Sequence, residues 1–400
     1  MSTIYQRKTY VDRILPFIDK DLIKVFTGQR RVGKSCLMLQ TSELIKKTRT
    51  AANIIYINKE DYAFDNIKTD KDLYDYLQQK QLKDHKNYVF IDEIQEISNF
   101  EKVIRDINAK NNFDVYCTGS NSTMLSGELA TTLSGRYIEH KIHGLSFCEF
   151  LLFHKLANST DSLMKYLKYG GLPYLIHLEL EDEIVFGYLK SIFNSIILKD
   201  VVARHNIRNV NFLERLVRYL ADNVGNILSA KKISDYLKSQ YIKLSPNSVL
   251  NYLSFLVDSY FIREVRRFDI IGKRLFEVND KYYFEDLGLR HSLIGFRQID
   301  ISKIMENAVF RHLENSGYEI NIGKMRNKEI DFIATKNSNK VYVQVCYLIR
   351  DQKVIDREFG NLLEIKDNYR KIVVSMDEFA QGNVKGIEHQ HLRDFLTNFK

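Results

Sequence analysis

Along the first third of the chain, short runs of consecutive apolar residues alternate with stretches whose apolar positions recur every three or four residues. Ile23-Lys24-Val25-Phe26-Thr27, Asn53-Ile54-Ile55-Tyr56-Ile57-Asn58, Tyr88-Val89-Phe90-Ile91 and Phe113-Asp114-Val115-Tyr116-Cys117 are the runs, and runs of this length read as strands buried on both faces of a parallel sheet. Between them, Ser35 to Lys47 carries Leu37, Met38, Leu44 and Ile45 on one side of a helix, and Thr69 to Lys80 reads as another. Strands alternating with helices predict an α/β domain. From Phe147 to about His205 the pattern is helical, with Tyr188, Leu189, Ile192, Phe193, Ile196 and Ile197. Further on, Ser229 to Leu237 predicts a helix, Ser245-Pro246 caps a second through Val249, Leu250, Leu253 and Leu256, and Phe261 to Phe268 reads as a strand, the order of a winged helix. In the last stretch Glu306 falls on a helix, Glu329 and Asp331 open a strand, and Val341 to Cys346 forms its partner across 336–340.

Composition sharpens this only in places. Four hundred residues exceed what one core usually serves, and 44% hydrophobic content fills several without any run of about eighteen apolar residues to cross a bilayer. The basic N-terminus lacks the apolar segment of a secretory signal, so the expectation is a cytoplasmic protein with no membrane contact. Cys36, Cys117, Cys148 and Cys346 are too scattered for a disulfide framework or zinc site and are expected to be reduced core thiols. The net charge of +8 is concentrated: 1–150 carries 22 basic against 20 acidic residues, but 230–275 nine against four. Such a stretch attracts phosphate backbones, although a solvated surface also accounts for it.

The chemistry sits between the first strand and the first long helix. Gly28-Gln29-Arg30-Arg31-Val32-Gly33-Lys34-Ser35 is a G-x-x-x-x-G-K-S phosphate loop, followed by Cys36. Its glycines let backbone N–H groups close around a phosphate, Lys34 reaches the β/γ oxygens and the Ser35 hydroxyl ligates Mg²⁺. The third strand ends in Asp92-Glu93. There Asp92 would hold Mg²⁺ through water beside Ser35, and Glu93 would polarise the attacking water, because in-line phosphoryl transfer needs an oriented nucleophile. The fourth strand runs into Thr118-Gly119-Ser120-Asn121. Ser120, with Asn121 as the alternative, is expected to sense the γ-phosphate or the attacking water, and a turn or cap is the bland reading. Arg136 is a candidate to stabilise transition-state charge, from this chain or a neighbour, against the alternative of a surface arginine.

Taken together, Gln29 to Ser35, Ile91-Asp92-Glu93-Ile94-Gln95, Thr118-Gly119-Ser120, Gly135-Arg136 and Leu145 to Phe150 resemble the bacterial and archaeal AAA-type ATPases whose C-terminal half is a domain of unknown function. Gly170-Gly171-Leu172-Pro173, Leu198 to Val201, Tyr283 to Gly288 and Glu329 to Phe332 fit the same pattern. The resemblance implies an additional-strand P-loop ATPase using ATP and Mg²⁺, a helical lid after it, with a plain structural bundle as the alternative, and assembly of the ring type that would let Arg136 act in trans as well as in cis. The expected organisation is a P-loop core over 1–150, a helical lid over 151–215, a winged-helix-like domain over 216–280 and a restriction-endonuclease-like α/β domain over 281–400.

The last of these resembles active metal-dependent nucleases incompletely. Where they have an acidic residue and a lysine, this chain has Gln344 and Cys346; an amide is a poorer Mg²⁺ ligand than a carboxylate, and a thiol supplies no ammonium. The winged-helix-like region offers Lys231, Lys232, Lys238, Lys243, Arg263, Arg266 and Arg267 to phosphates, but its second helix has no Lys or Arg for base readout. The leading expectation is therefore an ATPase acting as a switch or motor on a nucleic-acid or protein partner. A nucleotide-assembled scaffold with little turnover, a homo-oligomer included, and an ATP-gated nuclease are the alternatives.

Overall fold

Strand formation in the first third follows from burial. In the computed structural model, which describes residues 5–122, 135–207, 209–242, 244–276, 279–349, 351–378 and 382–399, every residue of β1 (Ile23–Thr27), β3 (Asn87–Asp92) and β4 (Phe113–Gly119) is buried. With β2 (Asn53–Asn58) and β5 (Tyr137–Lys141) they form a wholly parallel sheet in the order β2-β3-β4-β1-β5. One strand, β4, thus lies between the loop strand β1 and the Asp-Glu strand β3, as expected of an additional-strand P-loop sheet. Helices α1 (Lys8–Ile14), α2 (Lys34–Thr48), α3 (Asp70–Lys80) and α4 (Phe100–Asn108) accompany the sheet. A capping box between Thr69 and Asp72 starts α3. Ile55, Val89, Ile91, Ile104, Ile107 and Val115 join one apolar cluster, each burial contributing about 1.5–3 kcal/mol.

The charged residues of the interior strands are paired. Lys24, wholly buried, donates to Asp114 and to the Lys20 carbonyl at 2.8 Å, while Asp114 also accepts from Tyr116 Oη at 2.9 Å and Asp19 N at 2.9 Å. Burial pulls the Lys24 ammonium below its usual range against the opposing pull of Asp114.

The chain divides into two compact units: Met1–His143 with Asp258–Tyr260, and Gly144–Val257 with Phe261–Lys400. In the second, the motifs that carry the resemblance interlock. α5 (Phe147–His154) starts in a Ser146/Glu149 capping box, and α6 (Thr160–Tyr169) ends at Gly170. Leu145 N donates to Gly171 O at 2.6 Å, and Asp286 accepts from Gly171 N at 2.7 Å and Leu289 N at 3.0 Å. A Cβ on Gly288 would stand 2.0 Å from the Tyr169 carbonyl. These motifs therefore serve packing. α7 (Asp182–Ser195) runs on into a π-helical segment, Ile196–Ala203, and α8 (Val210–Asp222) follows.

The next region has α9 (Ala230–Ser239), capped by Ser229, and α10 (Pro246–Asp258). Its strands depart from the expected boundaries. β6 (Ile227–Leu228) and β7 (Ile262–Val265) pair with β10 (Asp280–Phe284), which runs past residue 280. β8 (Arg267–Asp269) and β9 (Arg274–Leu275) instead join β11 (Glu319–Met325), β12 (Lys328–Lys336), β13 (Asn339–Val345), β14 (Arg370–Ser375), β15 (Gly382–Val384) and β16 (Ile387–His391) in an eight-stranded sheet, order β15-β16-β14-β13-β12-β11-β8-β9. The expected single strand at 261–268 is thus shared between two sheets. α11 (Leu287–Ile294), α12 (Ile301–Asn315), α13 (Gln352–Leu363) and α14 (Leu392–Asn398) complete the unit. Two cysteines differ from expectation: none of the four forms a disulfide, but Cys36 and Cys148 are exposed while Cys117 and Cys346 are buried. Among the described residues no helix is long and apolar enough to cross a membrane.

Candidate nucleotide site

The loop after β1 has the backbone that its glycines and Lys34 imply. Gly28 and Gly33 hold φ of 139° and 94°, values that glycine adopts without strain, and Arg31 between them is also left-handed at 70°. A Cβ at Gly28 would lie 2.1 Å from the Ile142 carbonyl oxygen. Gly33 caps α2, and Lys34 begins it, so the helix N-terminus and its free N–H groups face the loop. Lys34 Nζ donates to the carbonyls of Gly28 at 2.9 Å and Gln29 at 3.1 Å. Gln29 is wholly buried with neither amide atom hydrogen-bonded. Orphaned amide, glycine cradle and helix terminus together fit a phosphate-bearing ligand. Arg30 lies 3.5 Å from Glu60, Arg31 and Cys36 face solvent, and the buried Val32 gives its carbonyl to Arg7 Nη1 at 3.1 Å. Arg7, which the motif reading missed, also donates to His143 O at 2.8 Å.

Asp92 and Glu93 arrive at the C-terminal end of β3, the edge at which parallel α/β sheets bind ligands. Ser35 and Thr118 donate to Asp92, the latter at 2.5 Å. Burial raises the Asp92 carboxyl, and these hydrogen bonds only partly oppose it. Glu93 takes the left-handed conformation at φ 54°. Burial pushes its carboxyl up too, but Lys34, Arg30 and hydrogen bonds from Gln95 and Ser120 outweigh that and hold it below the usual range. An ionised carboxylate with a metal-binding neighbour can orient water for attack on a phosphoryl group.

The structure brings together Lys34, Ser35, Asp92, Glu93 and Ser120. It adds Thr118, whose hydroxyl donates to Asp92 and accepts from Glu93 N at 2.8 Å. Both strand-end hydroxyls were visible in the sequence, but only the β3–β4 register, Ile91 opposite Cys117, sets Thr118 beside Asp92. Asn121 is buried as well. Arg136 is not brought to the loop. It precedes β5, whose Tyr137 pairs with Ile23 at the N-terminal end of β1, about 13 Å along the strand from Thr27 at 3.3 Å per residue.

In the second unit, Glu306 lies on α12, Glu329 and Asp331 on β12, and Gln344 on β13 with its Oε1 accepting from Asp331 N at 3.3 Å. Cys346 packs among Tyr342, Phe359, Val373 and Ile387. Of the basic residues offered to phosphates, Lys231, Lys232, Lys238 and Arg266 are exposed, Arg263 is tied to Glu314 at 2.5 Å, Arg267 is half-buried, and Lys243 lies outside the described residues.

The sheet order, with the loop and Asp-Glu on one edge, defines an AAA-type P-loop fold. Residues 20–151 match the AAA domain and 160–300 a domain of unknown function, DUF8612. An uncharacterized protein of Haemophilus influenzae is 37% identical over 404 residues, 99% of both chains. Uncharacterized protein MJ1544 of Methanocaldococcus jannaschii is 33% identical over 389 residues, 92% of this chain and 85% of that one. The solved Walker-type ATPase PABY2304 of Pyrococcus abyssi has the same fold over 72% of this chain and 96% of its own, at a TM-score of 0.53 and 17% identity. The chain belongs to the family of bacterial and archaeal AAA-type ATPases with a C-terminal domain of unknown function.

Proposed function

We propose that this chain binds Mg·ATP in the Gly28–Ser35 loop, hydrolyses it, and passes the change of state to a nucleic-acid or protein partner. The observation that carries the reading is the convergence on one sheet edge of Lys34, a hydroxyl and a carboxylate suited to a magnesium ion in Ser35 and Asp92, and an ionised Glu93. Lys34 would neutralise the β/γ-phosphates, and Ser35 with Asp92 would hold Mg²⁺, which supplies charge stabilisation at the phosphates. Glu93 would polarise water, and Ser120, hydrogen-bonded to it, would sense the γ-phosphate. Lys34→Ala is expected to abolish ATP binding in equilibrium titration, and Glu93→Gln to retain ATP while slowing turnover by at least about a hundredfold. Unchanged turnover in both variants would refute the site.

The position of Arg136 at the opposite sheet edge favours action on a neighbouring chain's nucleotide over action on its own, and with it a homo-oligomer. The exposed Lys231, Lys232 and Lys238 support nucleic acid as the partner. Turnover measured with single- and double-stranded DNA or RNA at two salt concentrations separates the partners: salt-sensitive stimulation marks nucleic acid, since phosphate contacts weaken as salt rises.

A further inference from the structure

The C-terminal domain contains a charged cluster whose central member came from no motif. Lys281, on β10, is 2% exposed, and its ammonium lies 2.8 Å from Glu306 Oε1, 2.7 Å from Glu329 Oε1 and 4.0 Å from Asp331 Oδ1. The three carboxylates come from α12 and β12, and the lysine from a strand of the other sheet, so one side chain ties three elements together. The other contacts hold the cluster in shape. Tyr283 Oη donates to Glu306 Oε1 at 2.5 Å, and Val345 N donates to Asp331 Oδ2 at 2.8 Å. Gly225 leaves room for Glu306, because a Cβ there would meet its Oε2 at 3.1 Å.

Carboxylates gathered on one point, Asp331 buried and Glu306 and Glu329 half-buried, need a cation or a proton. A divalent ion would serve, but it would have to stand where the ammonium stands, within reach of Glu306 and Asp331 at once. From this geometry we infer that Lys281 is the resident cation of the C-terminal domain: its ammonium occupies the position of a bridging metal ion between Glu306 and Asp331, and closes the cluster to divalent metals. Protons complete the balance, since burial and the charge of Glu306 push the Asp331 carboxyl well above its usual range despite Lys281. Burial also works against the charge on Lys281, but Glu306, Asp331 and Glu329 outweigh it and keep the amine protonated. The sequence places no lysine at Cys346; the structure shows an ammonium reaching the same carboxylates from 65 residues earlier in the chain, and one that neutralises them. This inference is independent of the ATP site.

The test is titration of the full-length chain with Mn²⁺, without nucleotide, followed by calorimetry. Wild type is expected to show no Mn²⁺ binding that Asp331→Asn removes. Lys281→Met, which keeps the aliphatic stem but not the charge, should gain an Mn²⁺ site absent from wild type, at least about tenfold tighter than any residual binding there, and Lys281→Met with Asp331→Asn should lose it. Lys281→Arg keeps a cation and should behave as wild type. Binding to wild type that depends on Asp331 would overturn the inference, as would a folded Lys281→Met that gains nothing. Far-UV circular dichroism establishes folding. If Lys281→Met does not fold, Lys281→Gln and the wild-type titration carry the same decision.

Discussion

At the scale of single residues, Thr118 shows how one hydroxyl orders a site. It donates to the group assigned to magnesium and accepts from the backbone of the group assigned to water, so its loss would free the Asp92 carboxylate and leave the buried Glu93 N–H without an acceptor. Thr118→Val keeps the shape and removes both bonds. It is expected to lower ATP turnover about ten- to a hundredfold, the usual effect of removing a residue that orients a metal ligand, with ATP affinity little changed, while Thr118→Ser restores turnover. Steady-state hydrolysis and equilibrium binding on the three proteins check this. Sequence reading chose Ser120 among the polar residues ending β4, and Ser120 does reach Glu93. What it could not read was the lateral register that makes Thr118 the nearer partner of Asp92.

At the scale of elements, β1 and β4 are held by more than apolar packing. Lys24 and Asp114 form an ion pair in the middle of the sheet with under 2% of either side chain exposed. Removing one member strands a buried charge, and Asp114→Ala is expected to cost about 3–5 kcal/mol. Lys24→Met with Asp114→Leu replaces both charges by apolar groups of similar volume and should recover most of that loss. Urea unfolding of the two variants and wild type reads the difference; equal losses would mean that the hydrogen bonds from Tyr116 and Asp19 matter more than the charge. Lys24 was legible as a member of a buried strand, but its pairing was not, because the partner lies 90 residues away. The same limit applies to the stretch at 261–268: its residues read as a strand, yet the pairing of its two halves with different sheets depends on β10 and β11.

At the scale of the whole molecule, buried histidines give both units an acid sensitivity. His140 sits against the rings of Phe17 at 5.6 Å and Phe26 at 5.8 Å, and burial, then Arg13 and Lys24, bring its pKa down to about 4. In the second unit burial takes His154 to about 4 and His291 to about 3. A base whose folded pKa lies below its unfolded value near 6.5 adds stability above that pH, and the contribution is lost as pH falls towards the folded value. His140 and His291 each weaken the fold by on the order of 2 kcal/mol between pH 7 and about 4.5, and the more exposed His154 by less. His140→Phe should accordingly flatten the fall in melting temperature over that interval, measured by circular dichroism. An unchanged slope would assign the acid sensitivity to other groups.

The sequence by itself determined what is local. A glycine at a positive φ, a lysine opening a helix and a Thr-to-Asp capping box depend on contacts within a few residues, so the phosphate loop, the start of α3 and the alternation of strands with helices were all readable from residue order. Tertiary structure decided everything that depends on which strands pair and in what register: Thr118 beside Asp92, Arg136 at the far end of β1, and Lys281 among the acids of α12 and β12. The physical reason is that strand pairing and the packing of sheets join distant segments through the free energy of a whole buried core, to which no short stretch of sequence contributes enough to announce its partner.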